Sequence, residues 1–150
     1  MQPQQNRLLA AAGLLASLLA CGVPDQGPSM LPGQDCLSCH NGQTAPQWTV
    51  AGTVFSDPNA PVEAGMPDAQ VIITDSTQHT LTLLTNSVGN FYTAEVLAFP
   101  LTVKIQRGTW LMEMQSQPGQ GSCNTCHSIG NGNGAPGRLF IPYQNLSRRP

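Results

Sequence analysis

The feature that most constrains this chain is the pattern C-x-x-C-H, which occurs twice. The first copy is CLSCH at residues 36–40 and the second is CNTCH at residues 123–127. In this pattern two thiols add across the vinyl groups of a porphyrin, and the adjacent imidazole coordinates the iron from one side. A short turn brings the sulfurs under neighbouring pyrrole edges and places the histidine beneath the metal. We therefore expect two covalent c-type haems, with four attachment residues and two iron ligands: Cys36, Cys39, Cys123 and Cys126, and His40 and His127.

The cysteine spacing also admits two other interpretations. Each C-x-x-C pair is compatible with a disulfide, and two pairs are compatible with one zinc ion held by four thiolates. A zinc site of this kind has a short spacer, whereas a whole domain separates these pairs, and neither alternative explains the two histidines. The positions between the cysteines differ between the copies (Leu-Ser and Asn-Thr), and we expect no special chemistry from them.

The start of the chain has the organisation of an export signal. Arg7 provides a positive charge ahead of an apolar run from Leu8 to Leu19, which is short for a bilayer span. The run ends in Leu-Leu-Ala-Cys at residues 18–21, which resembles the lipobox of bacterial lipoprotein precursors. That resemblance implies a signal peptide at residues 1–20 and acylation of Cys21 as a membrane anchor. The alternative is an ordinary signal peptide followed by an unrelated cysteine.

The N-terminal signal also predicts a location. Gly22 follows the cysteine at the position where an aspartate would suggest retention in the inner membrane of a Gram-negative bacterium. We therefore expect an outer-membrane lipoprotein in the cell envelope, facing the periplasm or the cell surface. Covalent haem attachment takes place outside the cytoplasm in bacteria, so export and the haem motifs agree.

Composition and periodicity predict a mainly β fold between the two motifs. Glycine (15) and proline (13) are plentiful, which favours turns and short strands over long helices. Six segments have strand character, and the first of them alternates like a half-buried strand. We therefore expect a small antiparallel β-sandwich, with an apolar patch at residues 138–142 as a further edge strand. The six segments are Trp48–Phe55, Ala69–Thr74, Thr80–Thr85, Phe91–Leu97, Leu101–Gln106 and Thr109–Gln115.

This interpretation divides the chain beyond the signal peptide into five parts. A tether rich in proline and glycine leads into the first haem-binding segment, and the sandwich separates that segment from the second one. A short tail ends the chain. The bounds are 21–34 for the tether, 35–47 for the first haem-binding segment, 48–115 for the sandwich, 116–142 for the second haem-binding segment and 143–150 for the tail.

The middle of the chain also resembles a known family. Four pieces carry the resemblance: AGTV at 51–54, AQVII at 69–73, TNSVGNFY at 85–92 and LTVKI at 101–105. They resemble the strands and a turn of the carboxypeptidase-regulatory-like, or transthyretin-type, β-sandwich, whose members are mostly non-catalytic modules. With a haem motif on each flank, the whole chain resembles the small lipid-anchored dihaem cytochromes of some Gram-negative bacteria.

The group opposite each histidine decides the chemistry of the iron. His79 is the one histidine outside the two motifs, and it is either an exposed loop residue or a ligand. Met112 and Met114 precede the second motif on one strand face, so they are either core residues or candidate ligands of the second iron, with Met114 preferred. For the first iron, His79, Met66 and Met30 all stay open.

The sequence predicts an electron carrier rather than an enzyme, because no nucleophile, acid–base pair or second metal site is visible in it. A formal net charge of −2 with six basic residues argues against nucleic acid, and acidic haem propionates favour redox partner proteins with a basic docking face. Two alternatives stay open: a haem enzyme or gas or peroxide sensor with one five-coordinate iron, and a sandwich-type binding module with structural haems. The two motifs are either adjacent or on opposite sides of the domain.

Overall fold

The computed structural model describes residues 29–130, 135 and 137–143. The predicted signal peptide, the lipidation site Cys21 and most of the tether and tail lie outside this described part. Within it, no helix is long and apolar enough to cross a membrane. The described elements are α1 Cys36–Cys39, β1 Val50–Phe55, β2 Gln70–Thr74, β3 Thr80–Leu84, β4 Asn90–Thr93, β5 Thr102–Arg107, β6 Trp110–Glu113, α2 Cys123–Cys126 and β7 Leu139–Phe140.

The strands form two sheets. The three-stranded sheet has the order β4-β1-β7, and the four-stranded sheet has the order β3-β2-β5-β6. Neighbouring strands pair antiparallel, apart from β1 and β7, which are parallel. Each of the six predicted segments overlaps one of the strands β1 to β6. The predicted fold class is therefore confirmed: the protein is mainly β, with two antiparallel-rich sheets consistent with a small β-sandwich.

The hydrophobic core contains residues from both sheets. Along β2 and β5 the core residues occupy every second position, because side chains alternate between the two faces of a strand. The other sheet contributes residues of β1 and β4. Burial of these aliphatic and aromatic groups is the main favourable contribution to folding. The core members from these four strands are Val50, Val54, Val71, Ile73, Phe91, Val103 and Ile105.

Strand β1 is buried on both faces, so the prediction of a half-buried strand was wrong. Its two valines belong to the core, as the alternation predicts. The other face, which carries Thr53 and Phe55, is covered by the segments that bear the two C-x-x-C-H motifs. Gly33 donates its backbone N–H to Thr53 Oγ1 (2.9 Å), and the Arg138 guanidinium carbon lies 4.0 Å from the centre of the Phe55 ring. Strand β1 is thus the element that positions both motifs.

The chain after the second motif returns to the sheet. Strand β7 pairs with the end of β1, with Val54 opposite Leu139 and Phe55 opposite Phe140. Ile141 follows directly, donates its N–H to the Phe55 carbonyl (2.8 Å) and is fully buried. The apolar patch expected as an edge strand therefore lies at the edge of the three-stranded sheet, and it joins the second haem-binding segment to the core.

Candidate functional site

The two C-x-x-C-H motifs have the same backbone conformation although their intervening residues differ. Each forms a single helical turn, α1 or α2, and its histidine caps the C-terminal end. The N–H of His40 bonds to the Cys36 carbonyl at 2.9 Å, and that of His127 bonds to the Cys123 carbonyl at 2.9 Å. The backbone angles agree as well, with φ −85° and ψ 61° at His40 and φ −91° and ψ 70° at His127. Two distant stretches of sequence thus present an imidazole in the same local arrangement.

Both imidazoles are held by a backbone carbonyl through the same ring nitrogen. Nδ1 of His40 lies 3.0 Å from the Pro46 carbonyl oxygen, and Nδ1 of His127 lies 3.1 Å from the Gly137 carbonyl oxygen. A carbonyl only accepts hydrogen bonds, so these contacts require the proton on Nδ1 and leave the lone pair on Nε2. Metal-binding histidines commonly have a bond of this kind, because it fixes the tautomer and the orientation of the ring.

Nε2 of His127 is a buried nitrogen without a hydrogen-bond partner. Among the described residues, Arg138 Nε is the other buried side-chain nitrogen without a hydrogen-bond partner. Burial lowers the pKa of His127, and the bond to Gly137 opposes that effect only in part, so the ring is neutral near pH 7. The neutral ring is the form that binds metals. A buried polar atom without a partner costs free energy, and coordination to iron would satisfy this one.

The ring of His40 belongs to a stack of three aromatic side chains. It lies 3.3 Å from the Trp48 ring at an interplanar angle of 6°, and Trp48 lies 4.0 Å from Tyr92 at 9°. The Trp48 N–H also bonds to the His40 carbonyl at 3.1 Å, which closes the loop between the first motif and β1. The lone pair of an imidazole nitrogen lies in the plane of the ring. Stacking on the ring face therefore orients His40 without using Nε2.

Two glycines allow the second motif to approach β1 closely. A Cβ added at Gly52 would lie 2.7 Å from Phe91 Cζ and 2.8 Å from Cys123 Cβ. A Cβ added at Gly121 would overlap the Thr49 carbonyl. The absent side chains leave room for α2 against the strand, and the Gly121 carbonyl accepts the N–H of Ala51 at 3.0 Å.

Asn124, between the cysteines of the second motif, is buried and contacts both β1 and the first motif's segment. Its Nδ2 donates to the Gln34 carbonyl (2.8 Å) and to Thr53 Oγ1 (3.1 Å), and its Oδ1 accepts the Thr53 N–H (3.0 Å). Asn124 therefore has a structural role that the C-x-x-C-H pattern does not predict. The partners are distant in the chain, so the sequence contains no local signal for this role.

A hydroxyl forms a second link between the two motifs. Ser122 Oγ donates to Asp35 Oδ1, and the same carboxylate oxygen caps α1 by accepting the Leu37 N–H at 3.2 Å. Thr125, the other residue between the second pair of cysteines, donates its hydroxyl to Ser122 Oγ at 2.7 Å. The two motifs are therefore adjacent, beside β1, which answers the question that the sequence left open.

The thiols nearest this junction are protonated near neutral pH. Burial raises the pKa of Cys36 to about 11, with the charge of Asp35 adding to the effect. Burial raises the pKa of Cys123 to about 12, and the neighbouring Cys36 and Cys126 add to it. Cys36, Cys123 and Cys126 are free thiols, whereas Cys39 is disulfide-bonded. A thioether and a disulfide at the Cys39 sulfur exclude each other.

The residues predicted as ligands opposite the histidines have other surroundings. His79 lies in the β2–β3 loop with its side chain half exposed and its Nε2 4.0 Å from Glu95 Oε2. Met112 is exposed on β6, while Met114 packs against the hydrophobic core. Met66 is fully buried, and its sulfur is in hydrogen-bond contact with the Arg107 guanidinium. None of these contacts involves either C-x-x-C-H motif.

Comparison with known proteins adds no further assignment. No protein-family model, curated protein or solved structure matches this chain. Within the part of the chain that the structure describes, no group of three or more His, Cys, Asp and Glu side chains could hold a metal ion. A haem does not require such a group, because its porphyrin supplies four ligands and the protein supplies one or two.

Proposed function

We propose that this protein is an electron-transfer protein of the c-type cytochrome class, with one covalent haem at each C-x-x-C-H motif. The observation that carries the proposal is the buried, unpartnered Nε2 of His127, whose Nδ1 is held by a backbone carbonyl. The same Nδ1 contact recurs at His40, so both imidazoles are oriented and in the tautomer that coordinates metal. The donor set of the second motif, the free thiols of Cys123 and Cys126 followed by an imidazole, fits this group, and the first motif offers the same set once the Cys39 disulfide is reduced.

Each residue of the site has a separate role in this proposal. Cys36 and Cys39 would hold the first haem and Cys123 and Cys126 the second, while the histidines would coordinate the irons. When bound, haem supplies one-electron redox chemistry. The chain supplies orientation, through the carbonyls and the aromatic stack, and it supplies a low-dielectric environment through the burial around His127.

The wider biological setting is part of the same proposal. The lipobox resemblance at Cys21 supports anchoring to the outer membrane of a Gram-negative bacterium, and the acidic chain supports partners with a basic surface. The two-sheet fold agrees with the resemblance to the transthyretin-type sandwich, which supports a scaffold role for residues 48–115 rather than a catalytic one. Electrons would pass between the chain and other redox proteins of the envelope.

A second candidate function follows from the surroundings of the predicted sixth ligands. His79 lies beside Glu95 and Met114 packs on the core, which favours an iron with histidine on one side only. Such an iron binds small molecules, as in a gas or peroxide sensor or a haem enzyme. Carbon monoxide separates the two functions. If protein ligands occupy both axial positions of each iron, carbon monoxide leaves the Soret band of the reduced protein unchanged. If one axial position is open, carbon monoxide shifts that band.

The proposal is tested by counting covalent haem per chain. We expect two haems in the pyridine haemochrome assay after denaturing extraction of protein made with c-type maturation enzymes. The double variants Cys36→Ser/Cys39→Ser and Cys123→Ser/Cys126→Ser should each retain one haem. Mass analysis of the peptide that contains Cys39 distinguishes the thioether from the disulfide. A wild-type chain without covalent haem would overturn the proposal.

A further inference from the structure

The junction between the two C-x-x-C-H turns includes two polar contacts made by different residues. One is the Asn124 amide on the Gln34 carbonyl, and the other is the Ser122 hydroxyl on the Asp35 carboxylate. Both contacts begin on the second turn and end on the residues that directly precede Cys36. Two contacts at different points fix orientation as well as separation, so the turns cannot rotate against each other while both contacts hold.

The same junction is anchored to the sandwich. Thr53 is fully buried in β1, and both its N–H and its hydroxyl contact the Asn124 amide. The Thr53 hydroxyl also accepts the N–H of Gly33 and donates to Asn90 Oδ1 at 2.7 Å. Asn124 is 3 % exposed. Water is therefore excluded from the bonds between Asn124 and Thr53, which fix the second turn on the sheet, while the contacts to Gln34 and Asp35 are partly buried.

The junction brings the first attachment sulfur of one motif towards that of the other. Asn124 Nδ2 lies 3.9 Å from Cys36 Sγ, and Asn124 is the residue directly after Cys123. Haems attached through Cys36 and Cys123 would therefore lie next to each other. Their positions then depend on the angle between the turns, which is the quantity that Asn124 and Ser122 determine.

We propose that Asn124 and Ser122 are positioning residues that hold the two haem-attachment turns against each other, so that the two haems form one electronically coupled pair rather than two independent centres. This inference rests on the proposed function, because it requires both haems. The coupling has two physical consequences. The Soret transitions of neighbouring porphyrins mix, and reduction of one haem makes reduction of the other less favourable through Coulomb repulsion.

The test uses the full-length holoprotein with two haems per chain established by the haemochrome assay. The first readout is Soret circular dichroism, in which a coupled pair gives a band with one positive and one negative lobe. The second readout is a potentiometric titration, which for a coupled pair should be broader than the sum of the titrations of the two single-haem cysteine variants. A structural role alone would alter neither readout.

Two variants remove the junction step by step. Ser122→Ala removes the hydroxyl contact to Asp35, and Asn124→Leu removes the amide contacts at similar volume. We expect Ser122→Ala to weaken the two-lobed band and narrow the titration, and Asn124→Leu to do so more strongly. If Asn124→Leu fails to fold, Ser122→Ala alone decides the test.

The matched control is Thr77→Ala in the β2–β3 loop. Thr77 also donates a hydroxyl to a carboxylate, Asp75 Oδ1, at 2.7 Å, but this bond does not involve either motif. We expect two haems and an unchanged Soret band for this control. A single-signed Soret band in the wild type, or an unchanged two-lobed band in Ser122→Ala, would overturn the inference and leave the cytochrome proposal intact. A wild type without haem would overturn the cytochrome proposal itself.

Discussion

At the scale of the residue, Gly52 permits the second motif to lie against β1. A Cβ at this position would lie 2.7 Å from Phe91 Cζ and 2.8 Å from Cys123 Cβ, both of which are packed with the core. We predict that Gly52→Ala lowers the free energy of unfolding by about 1–3 kcal/mol, because overpacking forces the neighbours to move. Urea denaturation followed by tryptophan fluorescence measures the change.

Gly119→Ala is the matched control for this prediction. Nothing lies within 4 Å of the position that its Cβ would occupy. We expect its stability to stay within about 0.5 kcal/mol of the wild type, as for other surface substitutions. Equal stabilities of the two variants would show that α2 does not depend on the missing side chain.

Residues differ in how far the sequence reveals their role. The cysteines and histidines of the two motifs are predicted from the sequence as haem-binding residues, because covalent attachment requires those residue types at that spacing. The carbonyls of Pro46 and Gly137 could not, since a backbone acceptor has no residue-type signal. Asn124 could not either, because its role depends on Thr53 and Gln34, which lie far away in the chain.

At the scale of the element, the loop from α1 to β1 holds the first imidazole between a carbonyl and an indole ring. We predict that Trp48→Leu weakens the hold on His40, because the flat face that stacks on the ring at 3.3 Å is lost. In the holoprotein, protons should then displace His40 from its iron at a higher pH than in the wild type. Acid titration followed in the visible spectrum measures the shift at one haem.

Trp48→Phe is the conservative partner of this variant. It keeps an aromatic face against His40, so its acid transition should lie between those of the wild type and Trp48→Leu. The transition at the second haem should stay unchanged in both variants, because His127 is held by a different segment. Equal acid transitions in all three proteins would contradict the role given to the stack.

The β2–β3 loop depends on the carboxylate of Asp75. The Ala98 N–H lowers the pKa of Asp75 most, and the Thr77 hydroxyl and the N–H groups of Thr77 and His79 contribute, so that the pKa falls to about 2. The unfolded carboxyl has a pKa of about 3.9. The contribution of the Asp75 carboxylate to the free energy of unfolding is therefore fully present above about pH 4, and it is lost as the pH falls through about 2.

We predict that Asp75→Asn is less stable than the wild type at pH 7 and that the difference shrinks between pH 4 and pH 2. The physical reason is that the wild-type carboxyl becomes neutral in this range, as the amide already is. Urea midpoints at a series of pH values measure the difference. Asp57→Asn, which removes a loop carboxylate with a single backbone contact to Asn59, is the control. A difference that stays constant down to pH 2 would contradict the prediction.

The strands show why the sequence predicts the fold class but does not predict how deeply each strand is buried. Alternation in β2 and β5 is visible in the sequence, since one face of each strand enters the core. β1 has the same alternation, yet both of its faces are buried. The second face of β1 is covered by chain segments that precede and follow the sandwich. A local alternation pattern contains no information about such distant segments.

At the scale of the whole molecule, the sandwich and the two haem-attachment turns have separate sources of stability. The core includes aliphatic and aromatic residues of both sheets and Ile141, which directly follows β7. Of the motif cysteines that the structure describes, Cys123 packs against this core. The junction between the turns consists of protein hydrogen bonds. We therefore expect this core to form without a bound haem, in contrast to small domains that fold only around a metal.

We predict that a variant with serine at Cys36, Cys39, Cys123 and Cys126 folds without haem into a β protein that unfolds cooperatively. The core members lie elsewhere, so the loss should be limited to about 1–3 kcal/mol, from the polar hydroxyl placed at the half-buried position 123. Far-ultraviolet circular dichroism measures the β content, and urea denaturation followed by tryptophan fluorescence measures cooperativity. A chain with β content but without a cooperative transition would show that the haems, and not the two sheets alone, order the core.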